Sequence, residues 1–381
     1  MTTIIVIVAF ALVLSSIVVA LYGVWIYGAI FKSKNREENP NTFLCPPISV
    51  VLPAHNEEKV IYARIMNLAE CTYPMEKLEL VIVDDASRDD TKAIALKAMD
   101  DYGLMGKVVE NKAQKGVNLS MEKGIKEAKS EIVVCTDADV YFEKNAITQV
   151  VSKLMSEKRT GAVTGDLQPL KGKEVTKKSE SAYRSMYGKI CEWESEVAST
   201  YCFNGALYAI KKTAPATLDI KDGAYDAGIA FSVIRNGYKA VYVSSAKVFE
   251  NVPNDLSAQF KQKIRRAARL IKATWVNMDM MSGKYGRFGR VILPLRFAAF
   301  SVVPAAFFMS VCLWIYIFSS INILFLPFLV IAFLLVAISD VWQSNLVSTF
   351  ILHQLYLFLG LFRALGDVDI WKQTERRGEE R

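Results

Sequence analysis

The apolar positions of this chain follow two different regimes. Residues Ile4 to Phe31 form a nearly unbroken hydrophobic run, longer than the ~20 residues a helix needs to cross a bilayer. A second apolar region extends from Val291 to Phe362 and is interrupted at Ser319-Ser320 and Ser339-Asp340. Those breaks predict segments near Val291–Phe318, Ile321–Ile338 and Leu346–Phe362, hence two or three spans. Between the two regions, short apolar runs alternate with amphipathic stretches. Ile48 to Pro53, Leu80 to Val83, Lys107 to Val109 and Glu131 to Cys135 read as strands; Glu57 to Leu68, Thr91 to Asp101 and Leu119 to Ala128 read as helices. This alternation predicts an α/β domain whose mostly parallel central sheet is covered on both faces. Ligands of such sheets bind beyond the carboxyl ends of the strands, which here carry Asp84-Asp85 and Asp137-Ala138-Asp139.

The expected organisation is an N-terminal membrane anchor over 1–31, a polar linker over 32–47, the α/β domain over 48–255, a basic amphipathic region over 256–290, a membrane region over 291–362 and a charged tail over 363–381. The first run has neither a basic start nor a small-residue cleavage site, so it reads as a retained anchor rather than a signal peptide. Gln262, Arg265, Arg266 and Arg269 share one helical face, opposite Phe260, Ile264, Ala267 and Ile271; such a helix is expected in the interface plane among membrane lipids. Lys32, Lys34 and Arg36 after the first run, and Lys284, Arg287, Arg290 and Arg296 leading into the second, mark cytosolic ends. The expectation is therefore a multi-pass protein of the cell membrane with a cytosolic α/β domain. Three full spans would put the tail on the opposite side, against its Arg363, Lys372, Arg376, Arg377 and Arg381; Pro294 and Pro304 permit one segment to re-enter or lie flat.

Composition narrows the choices. The formal charge of +7 is concentrated at membrane flanks, without a basic stripe carrying interleaved aromatics, which argues against nucleic acid. Six scattered cysteines with no Cys-x-x-Cys pair fit reduced thiols, and His55 and His353 are too few for a histidine zinc site. The mean hydropathy of +0.21 averages two solvents and describes neither part.

Asp137-Ala138-Asp139, on a turn after a buried strand, offers two hard carboxylates to Mg²⁺ or Mn²⁺, which would neutralise a diphosphate leaving group; alone, the same pattern is an ordinary solvated turn. Pro53-Ala54-His55-Asn56-Glu57-Glu58 opens a helix, with Asn56 as cap and Glu57 toward a base or ribose. Asp84-Asp85-Ala86-Ser87-Arg88-Asp89 either meets the nucleoside or caps the next helix, and Lys115-Gly116 either approaches phosphate or is a plain loop.

Taken together, these residues resemble the nucleotide-binding half of a family 2 glycosyltransferase of the GT-A fold. The resemblance continues through Cys202 to Lys212 (Cys202-Phe203-Asn204-Gly205-Ala206-Leu207-Tyr208-Ala209-Ile210-Lys211-Lys212), Tyr225-Asp226, Gly237 to Tyr242 and Ala246 to Glu250, covering roughly Ile48 to Thr274. The membrane flanks are similar to the integral-membrane, polysaccharide-synthase-like branch. The resemblance implies that Ala54, Asn56, Glu57, Asp84, Asp85, Lys115, Asp137 and Arg265 bind the donor, that Asp137 and Asp139 hold the metal, and that Asp226 is the catalytic base. It places Asn204, Gly205, Tyr225, Gln262 and Arg266 on the acceptor side, with Trp371 from a Trp-x-x-Thr-x-Arg-like segment. Two departures stand out: Tyr225 replaces a frequent Glu, and Arg266 stands where the family's Gln-x-x-Arg-Trp motif has Trp, which argues against long-chain polymerisation. The expected activity is inverting transfer from a nucleotide-sugar, a UDP-sugar by preference, to a hydroxyl of a glycan or glycolipid at the membrane. Two alternatives stay open: a polyprenyl-phosphate acceptor, whose ionised oxygen needs no base, and a non-catalytic scaffold that kept the fold.

Overall fold

The computed structural model describes residues 2–28, 45–170, 174–214, 224–251, 256–322, 325–327, 329–331 and 346–366. Most of the expected linker and of the 321–338 segment, and nearly all of the tail including Trp371, lie outside the described residues.

After α1 (Thr2–Tyr27), the chain builds β1 (Ile48–Ala54), α2 (Ile61–Ala69), β2 (Leu78–Asp84), α3 (Thr91–Asp101), β3 (Gly106–Glu110), α4 (Val117–Glu127) and β4 (Ile132–Cys135). These four strands are mutually parallel, in the order β3-β2-β1-β4. Every residue of β1 is buried, as a strand covered on both faces requires. The second half is β5 (Val140–Phe142), α5 (Ala146–Ser156), β6 (Thr160–Pro169), α6 (Glu174–Val197), β7 (Tyr208–Lys211), α7 (Tyr225–Arg235) and β8 (Lys239–Glu250). It extends the sheet as β4-β7-β6-β8-β5, with β7 antiparallel to both neighbours, β6 parallel to β8, and β5 antiparallel at the edge. The sheet is thus mixed and mostly parallel, as expected. The helix predicted from Glu57 starts only at Ile61, because Asn56 adopts a left-handed φ of 53° and the Glu57 carbonyl closes a turn onto the amides of Val60 and Ile61.

Two cores flank the sheet. One packs Val50, Leu52, Leu80 and Ile82 against α2, α3 and α5. The other begins with Val51, Val81 and Val133, passes through Tyr201 and Phe231, and runs without a break into Trp25, Phe288, Leu293, Phe300 and Leu357. Those last residues belong to α1, to α9 (Phe288–Ile321, with π turns at Phe288–Ile292 and Ala298–Val302) and to α10 (Leu346–Ala364). These three helices are long and apolar enough to cross a bilayer, which marks a membrane protein, and the α/β domain shares its core with them.

Between the sheet and α10 lies α8 (Leu256–Val276). Its apolar face docks on α10, with Phe260 edge-on to Tyr356 at 5.4 Å, while Lys263, Arg265, Arg266 and Arg269 turn into a cleft of the α/β domain. The basic face that would suit lipid headgroups therefore points inward. The helices approach closely at Gly360, where a β-carbon would stand 3.0 Å from Ala267 Cβ and 3.2 Å from the Ala268 amide. Gly360→Leu is expected to push α10 away at a cost of about 1–3 kcal/mol and to lower the melting temperature. Gly366→Leu, whose β-carbon would have only the Arg363 carbonyl nearby, at 3.8 Å, is expected to be neutral. Equal melting points for the two variants would remove this contact from the account.

Candidate active site

The carboxyl ends of β1, β2 and β4 open into a cleft of about 480 Å³. At one end the loops after β1 and β2 are stitched together. The Asn56 amide donates to Ser87 Oγ (3.0 Å), the Arg88 amide to Asn56 Oδ1 (2.9 Å) and the Glu57 amide to Thr91 Oγ1 (2.8 Å). His55 Nδ1 lies 2.8 Å from the Asp85 carbonyl, which can only accept, so that nitrogen carries the proton. Asp85 takes the Asn111 amide and the Lys115 N–H on Oδ1 (2.7 and 2.8 Å) and the Gly116 N–H on Oδ2 (2.7 Å). Gly116 sits at φ 88° to make that approach. These bonds lower the Asp85 pKa despite its burial.

Asp137 and Asp139 follow β4. The fully buried Arg64 of α2 holds their loop from beneath: its Nε donates to the Asp137 carbonyl (3.2 Å), Nη2 to Thr136 Oγ1 (2.8 Å) and Nη1 to Asn67 Oδ1 (2.7 Å), and its guanidinium covers the Phe142 ring at 4.1 Å. Burial pulls the Arg64 pKa down to about 10. The Gly205 backbone closes on Asp137 from the other side, its notional β-carbon 3.5 Å from Oδ2. Glu250 arrives by register: it pairs with Val140, next to Asp139, across β5 and β8. Burial and then the charges of Asp139, Glu250 and Asp226 push the Asp137 pKa up to about 7. Asp226, in the first turn of α7, is also raised by burial, against the opposing pull of its Ala227 amide bond and of Arg269. Arg266 answers Glu250 through one nitrogen, at 2.7 and 3.0 Å from the two carboxylate oxygens.

The residues inferred from sequence divide into two groups. Ala54, Glu57, Asp85, Asp137, Asp139, Asn204, Gly205, Tyr225, Asp226, Gln262, Arg265 and Arg266 all line this cleft, whereas Asn56, Asp84 and Lys115 do not. Asn56 ties the two loops together, Asp84 accepts the Ser87 amide at 3.1 Å, and Lys115 contributes its backbone N–H to Asp85. Asn204 lines the wall, but its side chain is committed to the Gly165 carbonyl (2.7 Å) and the Leu207 amide (3.1 Å), which fixes the loop. Trp371 lies outside the described residues. Sequence reasoning missed Arg64, Glu250 and Arg269. Arg64 had left a signal, a charge on the apolar face of α2 between Ile61, Ile65 and Leu68.

Among the described residues, no three His, Cys, Asp or Glu side chains form a ready-made metal cage. The pair Asp137–Asp139 nevertheless fits a divalent cation that takes its remaining ligands from phosphate oxygens and water, the usual habit of Mg²⁺. The crowding that raises Asp137 is the charge such a cation would relieve.

The sequence and fold also match known proteins. The profile "Glycosyl transferase family 2" matches residues 49–207, and "Glycosyl transferase family group 2" matches residues 132–340, more than half of the chain. The chain belongs to glycosyltransferase family 2. Within the family it is 26% identical over 232 residues to "Probable glycosyltransferase YdaM" of Bacillus subtilis, covering 58% of this chain and 54% of that one. It is 24% identical over 255 residues to poly-beta-1,6-N-acetyl-D-glucosamine synthase of Staphylococcus aureus, covering 64% and 61%. The chain thus spans between half and two thirds of those relatives. The mannosyltransferase PcManGT of Pyrobaculum calidifontis, solved with GDP-Man and Mn²⁺, superposes with a TM-score of 0.78 at 24% identity, covering 94% of this chain and 99% of that one. The GT-A fold is therefore common to both.

Proposed function

We propose that this protein is a membrane-bound inverting glycosyltransferase with a cytosolic catalytic domain, moving a sugar from a nucleotide-sugar to a hydroxyl of a glycan or glycolipid. The observation that carries the reading is one cleft in which Asp137 and Asp139 form one wall and Asp226 another, close enough for Asp226 to raise the Asp137 pKa. The nucleoside fits the end built by Ala54, Glu57 and Asp85, and Arg265 faces the diphosphate. Bound Mg²⁺ or Mn²⁺, held by Asp137 and Asp139, would supply Lewis-acid neutralisation of the departing diphosphate. Asp226 takes the proton of the incoming hydroxyl, and its raised pKa makes it a better base than an ordinary carboxylate. Arg64 keeps the Asp137 loop in place and Asn204 keeps the facing loop in place, so neither wall must reorganise during transfer. A UDP-sugar is the first donor to try, with GDP-mannose beside it because PcManGT was solved with that ligand.

The test is nucleotide release from a panel of UDP- and GDP-sugars, with and without Mn²⁺, joined to melting curves across pH. Asp137 has a native pKa near 7 against 3.8 in its ordinary state. Its contribution to metal-free stability is complete below 3.8 and is lost as pH rises through about 7. Protons also compete with the cation, so Mn²⁺ affinity should fall roughly tenfold per pH unit below that value. Mn²⁺ is expected to raise the melting temperature more at about pH 8 than at about pH 6. A metal effect that is flat across that window, or no metal-dependent release from any donor, would count against the assignment.

A further inference from the structure

The cleft does not end at the carboxylates. Its far side is closed by Phe300 of α9 and by Thr349, Leu352, His353, Tyr356 and Leu357 of α10. Thr349, Leu352, His353 and Tyr356 recur at i, i+3, i+4 and i+7 and so share one helical face. All of them lie in the segment Val347–Ala364 that is apolar and long enough to cross a bilayer. A histidine in such a segment is expected to face a cavity rather than hydrocarbon, and His353 does. The cleft therefore has a carboxylate-lined end for chemistry and an end walled by a membrane helix. A free glycan suits that second wall poorly, because its hydroxyls would be stripped of water against Leu352 and Leu357. A hydrocarbon chain suits it well.

Cations stand between the two ends. Lys263 is held by Glu180 at 3.1 Å and Arg266 by Glu250 at 2.7 Å. Arg269, beside Asp226, feels the like charges of Arg265, Arg266 and Arg363, the last at the closing turn of α10. Arg265, Arg266 and Arg269 all line the same cleft between the carboxylates and α10, and three arginines on one wall at the edge of a membrane helix favour an anion there. Resting on the transferase reading of this site, we propose that the acceptor is a lipid carrying its saccharide on a phosphate or diphosphate, with the alkyl chain against Leu352, His353 and Tyr356 of α10, the phosphate at Arg269 and the acceptor hydroxyl at Asp226.

The test uses the full chain in phosphatidylcholine nanodiscs and, as probe, dodecyl phosphate with a diazirine at the end of its tail. After illumination, the label is expected on residues 349–357. Dodecyl phosphate should displace it roughly tenfold better than dodecanol or inorganic phosphate. Leu352→Trp, which fills the crevice, should reduce labelling by about tenfold while Mn²⁺-dependent binding of the nucleotide-sugar remains. Val347→Trp, at a position 60% exposed, should label like the parent. Label confined to outward residues such as Val347 and Phe362 would overturn the proposal, as would full labelling of the Leu352 variant. Dodecanol competing as well as dodecyl phosphate would overturn the phosphate site, and inorganic phosphate competing as well would overturn the chain site. If Leu352→Trp fails to fold, the competition series on the parent decides alone. Failure of every nucleotide-sugar to bind the parent would instead strike the transferase reading, and the labelling pattern would still be read separately.

Discussion

Asp226→Asn is expected to bind the nucleotide-sugar and Mn²⁺ as the parent does and to lose about 10²–10⁴-fold in transfer to a hydroxyl. The amide is nearly the same size and can still accept from the Ala227 amide, which donates to Oδ1 at 3.0 Å, so the first turn of α7 should survive. What disappears is a group able to take a proton from an alcohol as it attacks. Burial raises the pKa of this carboxylate, so in the parent kcat/KM should fall on the acid side through a pKa above the ordinary carboxylate range, and the variant should lack that limb. Steady-state kinetics with separate donor-binding isotherms check both points. A variant that keeps full activity on an acceptor whose nucleophile is an ionised phosphate oxygen would show that no base is needed, and would return the polyprenyl-phosphate alternative to first place. Loss of donor binding together with turnover would assign Asp226 to the donor's charge balance, which its influence on Asp137 makes a real competitor.

The parts of this molecule that could be read from sequence are those whose signal is local. Runs such as Val50-Val51-Leu52 and Leu80-Val81-Ile82 announce strands buried on both faces, and acidic pairs at their ends announce the ligand side. The order of the second half is another matter. The antiparallel β7 stands between β4 and β6, and β6 pairs in parallel with β8, through contacts between segments far apart in the chain. Glu250 belongs to the site only because of its register with Val140, a relation that no spacing reveals. Asn56, Asp84 and Lys115 carry the right chemistry in the right order, yet their polar groups are used to build the loops that shape the cleft. Motif residues can thus be essential to a site without facing it. The basic face of α8 had two candidate partners, lipid headgroups and cleft, and helical periodicity alone could not choose. The close approach of Gly360 to Ala267 fixes which face docks on α10 and so which face turns inward.

Glu194→Ala is expected to be among the most destabilising single changes in the protein. Glu194 of α6 and Arg296 of α9 are both fully buried, with Arg296 Nε 2.5 Å from Glu194 Oε1 and Nη2 2.9 Å from Oε2. Thr200 Oγ1 donates to the same carboxylate at 2.7 Å, and the guanidinium lies 4.6 Å from the Trp25 ring centroid and 5.5 Å from that of Phe300. Three elements, α1, α6 and α9, therefore meet at one charge pair. Removing the carboxylate leaves an uncompensated cation in a closed apolar site, which costs about 3–5 kcal/mol. Replacing both partners at once, as in Glu194→Leu with Arg296→Met, removes the desolvation burden along with the attraction and should cost much less. Melting temperatures in detergent, compared for the parent, both single variants and the double variant, test this ranking; a double variant no better than Glu194→Ala would refute it. The consequence reaches catalysis, because Tyr187 and Gly188, one to two turns before Glu194 on α6, line the cleft. Loosening the pair should blur the geometry between the membrane helices and the carboxylates, so that Glu194→Ala loses transfer at temperatures where its donor-binding end is still folded.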